Sequence, residues 1–598
     1  MEVHESQRSQ DKQSSSPPHP PKALRDHLVH ALPYYAGPYS VGYLEMELPA
    51  HNPMAFSDIK RSSRHALQLD TVLFSIYYPT NADHKTEIRP PWLPRPRIST
   101  CKGYAKLYDM PNFPVTAYMA LTCMFTKMPA SRNARLATAS PTSTQESSEG
   151  GKPKFPVIIF SHGLGGSRTI CSTICGDLAS YGFVVVAMEH RDGSGARTYV
   201  NVPPDRISPE LSQDKGSVSE AALKEQSTGA QKEEEPNRVS SYTVDYIFPE
   251  ENAYDTRPHN ELGVDRMLRG AQIEMRMSEM EEVFRVLQTI NAGDPINAIK
   301  HRNLRKKPNR GSSSKGLDGV VWADWKDRLD LGTVTVMGHS FGGATIVKML
   351  RLDDRFHWIG QGIMLDAWGP AAPEAKSGSD QRITKPLLSI GSEAFMYWAE
   401  NMDRISDICK EAKDDGALCW MLTVRGSTHL SQTDFAVLYP KAMSNIIKTL
   451  VHPLRGIHLT IAPSLEFLKL VLPRQRTTTY DTSGWVDEGL LKTNHPDSEI
   501  PSEHKPNDKW IAARLKIDNE LQLRMQGWWA RRRNRKADGS EHVPRDARGK
   551  PIWGRLQTWG PGEEVWVHMC PTKDEVERHR NQQDACGRTP LGDGAERP

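Results

Sequence analysis

Residues 331–350 read LGTVTVMGHSFGGATIVKML. An apolar, β-branched run stops at Gly338-His339-Ser340-Phe341-Gly342, and a helical pattern begins at once. A serine between two glycines at a strand-to-helix corner can project its hydroxyl from the sheet, because its neighbours carry no bulky side chains. The helix behind it turns free amides and the positive end of its dipole toward the same point. The same five residues could also form a plain tight turn, so the surroundings must decide.

Outward from the corner one order recurs. TVLFSIYYP (71–79), PVIIF (156–160), VVVAMEH (184–190), TVTVM (333–337), IGQGIML (359–365), PLLSI (386–390) and CWMLTV (419–424) read as strands. Helices are predicted over 167–182 and 342–351, and around Met280, Val283, Phe284 and Leu287, which follow the i, i+3, i+4, i+7 stripe. Short apolar strands alternating with helices imply a mostly parallel sheet covered on both faces. The expected fold is α/β, of the α/β-hydrolase type, in which G-x-S-x-G between strand and helix is the nucleophile elbow.

Polar stretches interrupt this pattern. The reading divides the chain into a disordered tail (1–30), a catalytic domain (31–475) and a partly helical C-terminal extension (476–598). Polar insertions fall near 130–152, 203–240 and 300–318, where few large apolar groups are available to offset chain entropy. HRNLRKKPNR (301–310) and ARRRNRK (530–536) are read as solvated, and a helix is expected over 507–536, packed on the main domain.

The 598 residues carry 76 Lys+Arg against 73 Asp+Glu, a net charge of +3 that makes no case for nucleic-acid binding. Eight cysteines in so long a chain are no disulfide framework, and Cys171 and Cys175 have no matching Cys/His pair to make a zinc site. Both are read as small buried hydrophobes. No metal or cofactor site is expected. The first residues contain no apolar signal segment, Glu2 is not the glycine that myristoylation needs, and no run is long enough to span a membrane. A cytoplasmic protein, soluble or peripheral to membranes, is the expectation.

A serine hydroxyl is a poor nucleophile until a base takes its proton. In α/β-hydrolases the chain order is Ser, acid, His. His429, in TVRGSTHLSQTDF, follows the last predicted core strand and fits the base. His339 is carried away by the elbow itself, while His357 and His452 are read as surface residues. Two carboxylates end the strands after the elbow, Asp366 in GIMLDAWGP and Glu393 in LLSIGSEAF, and the pattern leaves them even. Asp353 and Asp354 read as a solvated pair at a helix end. FSHGLGGSRT (160–169) fits the loop that supplies a second oxyanion donor, its glycines letting backbone amides approach a substrate.

FSHGLGGSRT, DLASYGFVVVAMEHRDGS, GHSFGGAT, LDAW and RGSTH, with LPYYAGPYSVGY and LFSIYYP upstream, together resemble the platelet-activating-factor acetylhydrolases of the plasma and type II intracellular class. The resemblance spans about residues 32–440. It implies a Ca²⁺-independent serine esterase that removes short sn-2 acyl groups from phospholipids, without a metal or organic cofactor. It also implies Ser340 as nucleophile, His429 as base, Asp366 as acid, and the amides of Leu164 and Phe341 as oxyanion donors. Glu393 then has a structural role or none. A carboxylesterase or lipase on other esters is the near alternative, and a non-catalytic binding module of the same fold the distant one.

A lipid substrate must be drawn from a surface. Ala117, Leu121, Met124, Phe125 and Met128 follow a helical stripe within 111–129, in the place of the resembling family's interfacial helix. Peripheral membrane contact through 113–128 is therefore expected, with an internal core helix as the alternative. The insertions at 130–152 and 203–240 are unusual for the resembling family, and residues 476–598 have no recognised counterpart in it.

Overall fold

The predicted strands assemble into one ten-stranded sheet in the computed structural model. It describes residues 30–522, 525 and 563–586, apart from 62–63, 82–87, 139–151, 204–240, 294–295, 376–380, 474–481, 483 and 493–499. In chain order the strands are β1 Ser40–Ala55, β2 Gln68–Thr80, β3 Phe155–Ser161, β4 Val184–Glu189, β5 Leu329–His339, β6 Ile359–Leu365, β7 Leu387–Ser392, β8 Cys419–Val424 and β9 Val565–Met569. They lie in the order β9-β8-β7-β6-β5-β3-β4-β2-β1, and the short strand Ser131–Arg132 lies outside β1. From β4 to β8 all neighbours in the sheet run parallel, while β1, β2 and β9 join antiparallel.

The central strands are apolar without alternation because both faces are covered. Every residue of β3, β4 and β8 is buried. The helices include α1 Arg97–Leu107, α2 Asn112–Thr122, α3 Ser172–Ser180, α4 Arg266–Ala292, α5 Phe341–Leu350, α6 Ala399–Asp414 and α7 Pro453–Val471. One core holds Met280 and Phe284 of α4, Ile346 of α5 and Ile408 of α6 with Val334 and Val336 of β5. The other holds Ile174 of α3 and Leu465 of α7 with Met337 of β5. Adjacent β5 residues thus feed opposite cores, as the two-residue period requires. This is the α/β-hydrolase architecture, with β5 and α5 meeting at its centre.

Four expectations are corrected. Residues 300–318 are packed, not a loose insertion. Leu304 and Leu317 are buried, and Arg305, read as solvated, pairs with buried Glu45 at 2.9 Å. Burial alone would raise Glu45, but Arg305, Arg168 and Arg132 outweigh it and hold the carboxyl well below its usual range. A compensated charge can enter a core that composition alone would deny it. The described start of the 130–152 insertion likewise joins the sheet at Ser131–Arg132; 139–151 and 204–240 lie outside the described residues.

The helix expected over 507–536 is, in its described part, a single 3₁₀ turn at Asp508–Trp510 followed by irregular chain, with helix resuming only at Glu520. Its backbone donors go elsewhere, Leu515 N–H to the Ile447 carbonyl and Lys516 N–H to that of His504, so the intrahelical ladder is not made. The basic cluster 530–536 lies outside the described residues. The helix expected near 111–129 stops at Thr122. Beyond it the Met128 amide donates to the Pro90 carbonyl, and Met128 turns inward.

Candidate active site

The corner at Ser340 is strained. Its backbone sits at φ 57° and ψ −119°, a conformation that costs a side-chain-bearing residue about 1–3 kcal/mol. The surroundings hold it there: Ser340 N–H donates to the Leu365 carbonyl at 2.9 Å, and Trp368 N–H to the Ser340 carbonyl at 3.1 Å. Both flanking glycines are required by space. A Cβ on Gly338 would lie 2.3 Å from the Gly342 carbonyl oxygen, and one on Gly342 would lie 2.0 Å from that of Ser161.

Three groups far apart in the chain meet at this corner. His429 Nε2 lies 3.0 Å from Ser340 Oγ, and His429 Nδ1 lies 2.6 Å from Asp366 Oδ2. Asp366 leaves the end of β6, where its carboxylate also accepts the Ser392 amide at 2.6 Å and the Ser392 hydroxyl at 2.9 Å. The imidazole is clamped on both faces. Phe395 stacks on one side at 4.2 Å and 4°, and His339 on the other at 4.7 Å and 26°. Burial, then the neighbouring His429, holds His339 well below its ordinary pKa. Neutral His339 can therefore donate Nε2–H to the His429 carbonyl, 3.2 Å away.

Glu393 is elsewhere. Its buried carboxylate accepts from the Gly426 amide at 2.5 Å and from Tyr397 Oη at 2.7 Å, and faces His504 Nδ1 at 2.6 Å. His357 is exposed, and His452 caps α7 through the Leu454 amide.

The loop after β3 brings the second amide. Gly163 abuts the serine so closely that a Cβ there would fall 2.6 Å from Ser340 Cβ. The Gly163 carbonyl accepts from His162 Nδ1 at 2.8 Å and from the Gly166 amide at 3.1 Å. A trans peptide sends its N–H opposite its C=O, so pinning this carbonyl aims the Leu164 N–H away from His162. The Leu164 and Phe341 amides have no acceptor among the described residues. Burial, then Arg276, pushes His162 down to about 4, which keeps it neutral, and its Nε2 accepts the His190 amide at 3.1 Å.

Beneath the loop lies a polar cluster that sequence reasoning missed. Arg276 of α4 donates to the His162 carbonyl at 2.8 Å and pairs with Asp192 at 2.7 Å, all of it buried. Burial, then Asp192, pushes Glu279 up to about 8, while burial and Arg276 push its partner His190 well down. The signal was available: Arg276 and Glu279 sit beside Met277 and Met280 in an otherwise core-facing helix. Removing one partner of a buried ion pair strands the other charge. Arg276→Met is expected to cost about 3–5 kcal/mol of stability, read by chemical denaturation; an unchanged midpoint would show that the pair is idle.

An apolar cavity of about 290 Å³ is bordered by Leu430, the residue after His429. Tyr104 of α1, Val115 and Met119 of α2 line one wall, and Leu430, Phe435 and Met443 the other. Leu107 of α1 packs against the oxyanion loop, 2.8 Å from where a Cβ on Gly165 would stand. On the outer face of α2, Phe113 is 84% and Leu121 77% exposed, while Met119 and Cys123 face inward. Among the described residues, no group of three or more His, Cys, Asp or Glu is placed to hold a metal ion. No described helix is long and apolar enough to cross a membrane.

A family-wide sequence profile described as platelet-activating factor acetylhydrolase, isoform II, matches residues 27–482. The chain belongs to this family. Among curated relatives, the platelet-activating factor acetylhydrolase of Gallus gallus is 29% identical over 405 residues, 67% of this chain and 78% of that protein. That of Bos taurus is 30% identical over 404 residues, 67% and 72% of the respective chains. That of Cavia porcellus is 27% identical over 475 residues, 79% and 84%. The acetylhydrolase family match covers the elbow, the glycine loop after β3 and the His429 loop, and it ends before His504 and β9.

Proposed function

We propose that this chain, a phospholipid ester hydrolase by family, removes short acyl groups, acetyl foremost, from the sn-2 position of phospholipids through Ser340. The observation that carries the reading is the unbroken hydrogen-bond line from Ser340 Oγ through His429 to Asp366, at 3.0 and 2.6 Å. In this reading His429 takes the serine proton as Oγ attacks the ester carbonyl. The amides of Leu164 and Phe341 receive the oxyanion, and Asp366 steadies the charged imidazole. The alkoxide of the lysophospholipid leaves with the proton from His429. Water, deprotonated by the same histidine, then attacks the acyl-enzyme and releases the carboxylate and Ser340.

The apolar cavity beside Leu430 suits the substrate's long hydrocarbon chain, which must lie near the reacting ester without entering the oxyanion hole. The exposed face of α2, with Phe113 and Leu121, suits shallow insertion into a lipid surface beside that cavity. We assign the protein to the cytoplasm, at membrane surfaces. Cys101, Cys123, Cys171, Cys175, Cys409, Cys419 and Cys570 are free thiols, as a reducing compartment keeps them.

A substrate panel tests this. Phospholipids with acetyl at sn-2 are expected to be turned over faster than those with long sn-2 chains. Leu121→Asp should lose rate on vesicles and keep it on p-nitrophenyl acetate. Equal rates on long-chain sn-2 phospholipids, or activity confined to p-nitrophenyl esters, would replace the reading with a lipase or a general carboxylesterase.

A further inference from the structure

Glu393 stands between two residues that touch the proposed triad: Ser392 holds Asp366, and Phe395 covers the His429 ring. Its own backbone amide meets Ser427 Oγ at 3.4 Å, and the Ala394 amide meets the Ser427 carbonyl at 3.2 Å. Its carboxylate accepts the Gly426 amide at 2.5 Å. The end of β7 is thus tied to the turn 425–428 from which His429 projects. The carboxylate and two backbone amides together join the segment beside the acid to the turn beside the base.

One of the groups that hold that carboxylate comes from beyond the family match, which ends at residue 482. His504 Nδ1 reaches Glu393 Oε1 at 2.6 Å, and the His504 amide donates to Tyr397 Oη at 3.2 Å, whose hydroxyl donates to the same oxygen at 2.7 Å. The contact is dry, with His504 4% and Glu393 0% exposed. Burial alone would lower His504, but Glu393 outweighs it and favours the charged, donating form.

A second part of the extension grips the same turn from the sheet edge. Arg425 N–H donates to the Glu564 carbonyl at 3.0 Å, and its guanidinium to the Glu563 carbonyl at 2.9 Å. His568 of β9 meets Thr423 Oγ1 at 2.8 Å.

We propose that His504, acting through Glu393, is a positioning residue for the His429 loop, so that the C-terminal extension completes the active-site scaffold of this chain. The proposal rests on the triad reading given above. The physical argument is one of precision: a reacting pair must be held to fractions of an ångström, and the groups that lock the supporting loop decide whether it is. Without His504, buried Glu393 keeps only the Tyr397 hydroxyl and the Gly426 amide as donors, and any shift of its carboxylate carries the Gly426 turn and His429 with it.

The test uses the full chain, with p-nitrophenyl acetate and an sn-2 acetyl phospholipid as substrates. Rates are expressed per active site titrated with a fluorophosphonate, so that misfolded protein does not count. His504→Ala is expected to lower kcat by about tenfold to a hundredfold, with KM little changed. His504→Asn should recover most of that, because its amide can donate where Nδ1–H did. Glu393→Gln should fall in the same range, and adding His504→Ala to it should cost little more, the signature of one shared contact. An unchanged kcat per titrated site in His504→Ala overturns the proposal, since the pair would then serve stability alone. Equal impairment of the Ala and Asn variants overturns it too. Wild-type protein that fails to titrate would sink the triad reading itself, which is a separate result.

Discussion

Ser340→Ala is expected to abolish turnover, with kcat falling by about a million-fold, the scale seen when a serine nucleophile is lost. The argument is local. His429 Nε2 lies 3.0 Å from Oγ, and this hydroxyl is the proposed nucleophile. Alanine keeps the Cβ and the backbone bonds to Leu365 and Trp368, so the fold and the oxyanion loop should persist. Fluorophosphonate labelling should vanish while binding to phosphocholine vesicles through α2 remains. Residual activity within tenfold of wild type on acetyl phospholipid would mean that another group carries the chemistry.

Asp366→Asn is expected to lower kcat by about ten-thousand-fold at neutral pH, because it presents the wrong hydrogen-bond partner to the imidazole. Asp366 accepts at Oδ1 from the Ser392 amide, and at Oδ2 from the Ser392 hydroxyl and from His429 Nδ1. Asparagine has one oxygen for these donors. If that oxygen meets the Ser392 amide, the NH₂ faces His429 and forces the proton to Nε2, the nitrogen that must accept from serine. The loss should far exceed that of Glu393→Gln. The opposite ranking, measured side by side, would show that the acid has been assigned to the wrong strand end.

The elbow, the alternating strands and helices, and the glycine loop after β3 were legible because each is a local pattern. Glycine on both sides of Ser340 answers contacts of 2.3 and 2.0 Å that no other residue could relieve. The stretch 300–318 was misjudged because charge there looks solvated until Glu45, some 260 positions away, is brought to Arg305. The stripe within 111–129 was also misread in part: Met128 leaves the helix and is buried, while Leu121 and Phe125 remain outside. Periodicity marks a face and does not say what that face meets.

Residue types and their order determined the fold class and the proposed nucleophile and base, since backbone sterics at a strand-to-helix corner and the chemistry of serine need little more than neighbours in sequence. Pattern alone left Asp366 and Glu393 even, and the resemblance favoured Asp366. Only tertiary structure brought Asp366 to His429 and sent Glu393 to His504, because two carboxylates at the ends of neighbouring parallel strands differ in how the chain turns after each, Asp366 at φ 42° and Glu393 opening a short helix. Only tertiary structure, too, carried the chain beyond residue 482 back to the turn that holds His429. Such contacts join residues that sequence separates by up to 145 positions, and no local pattern encodes which pairs will close.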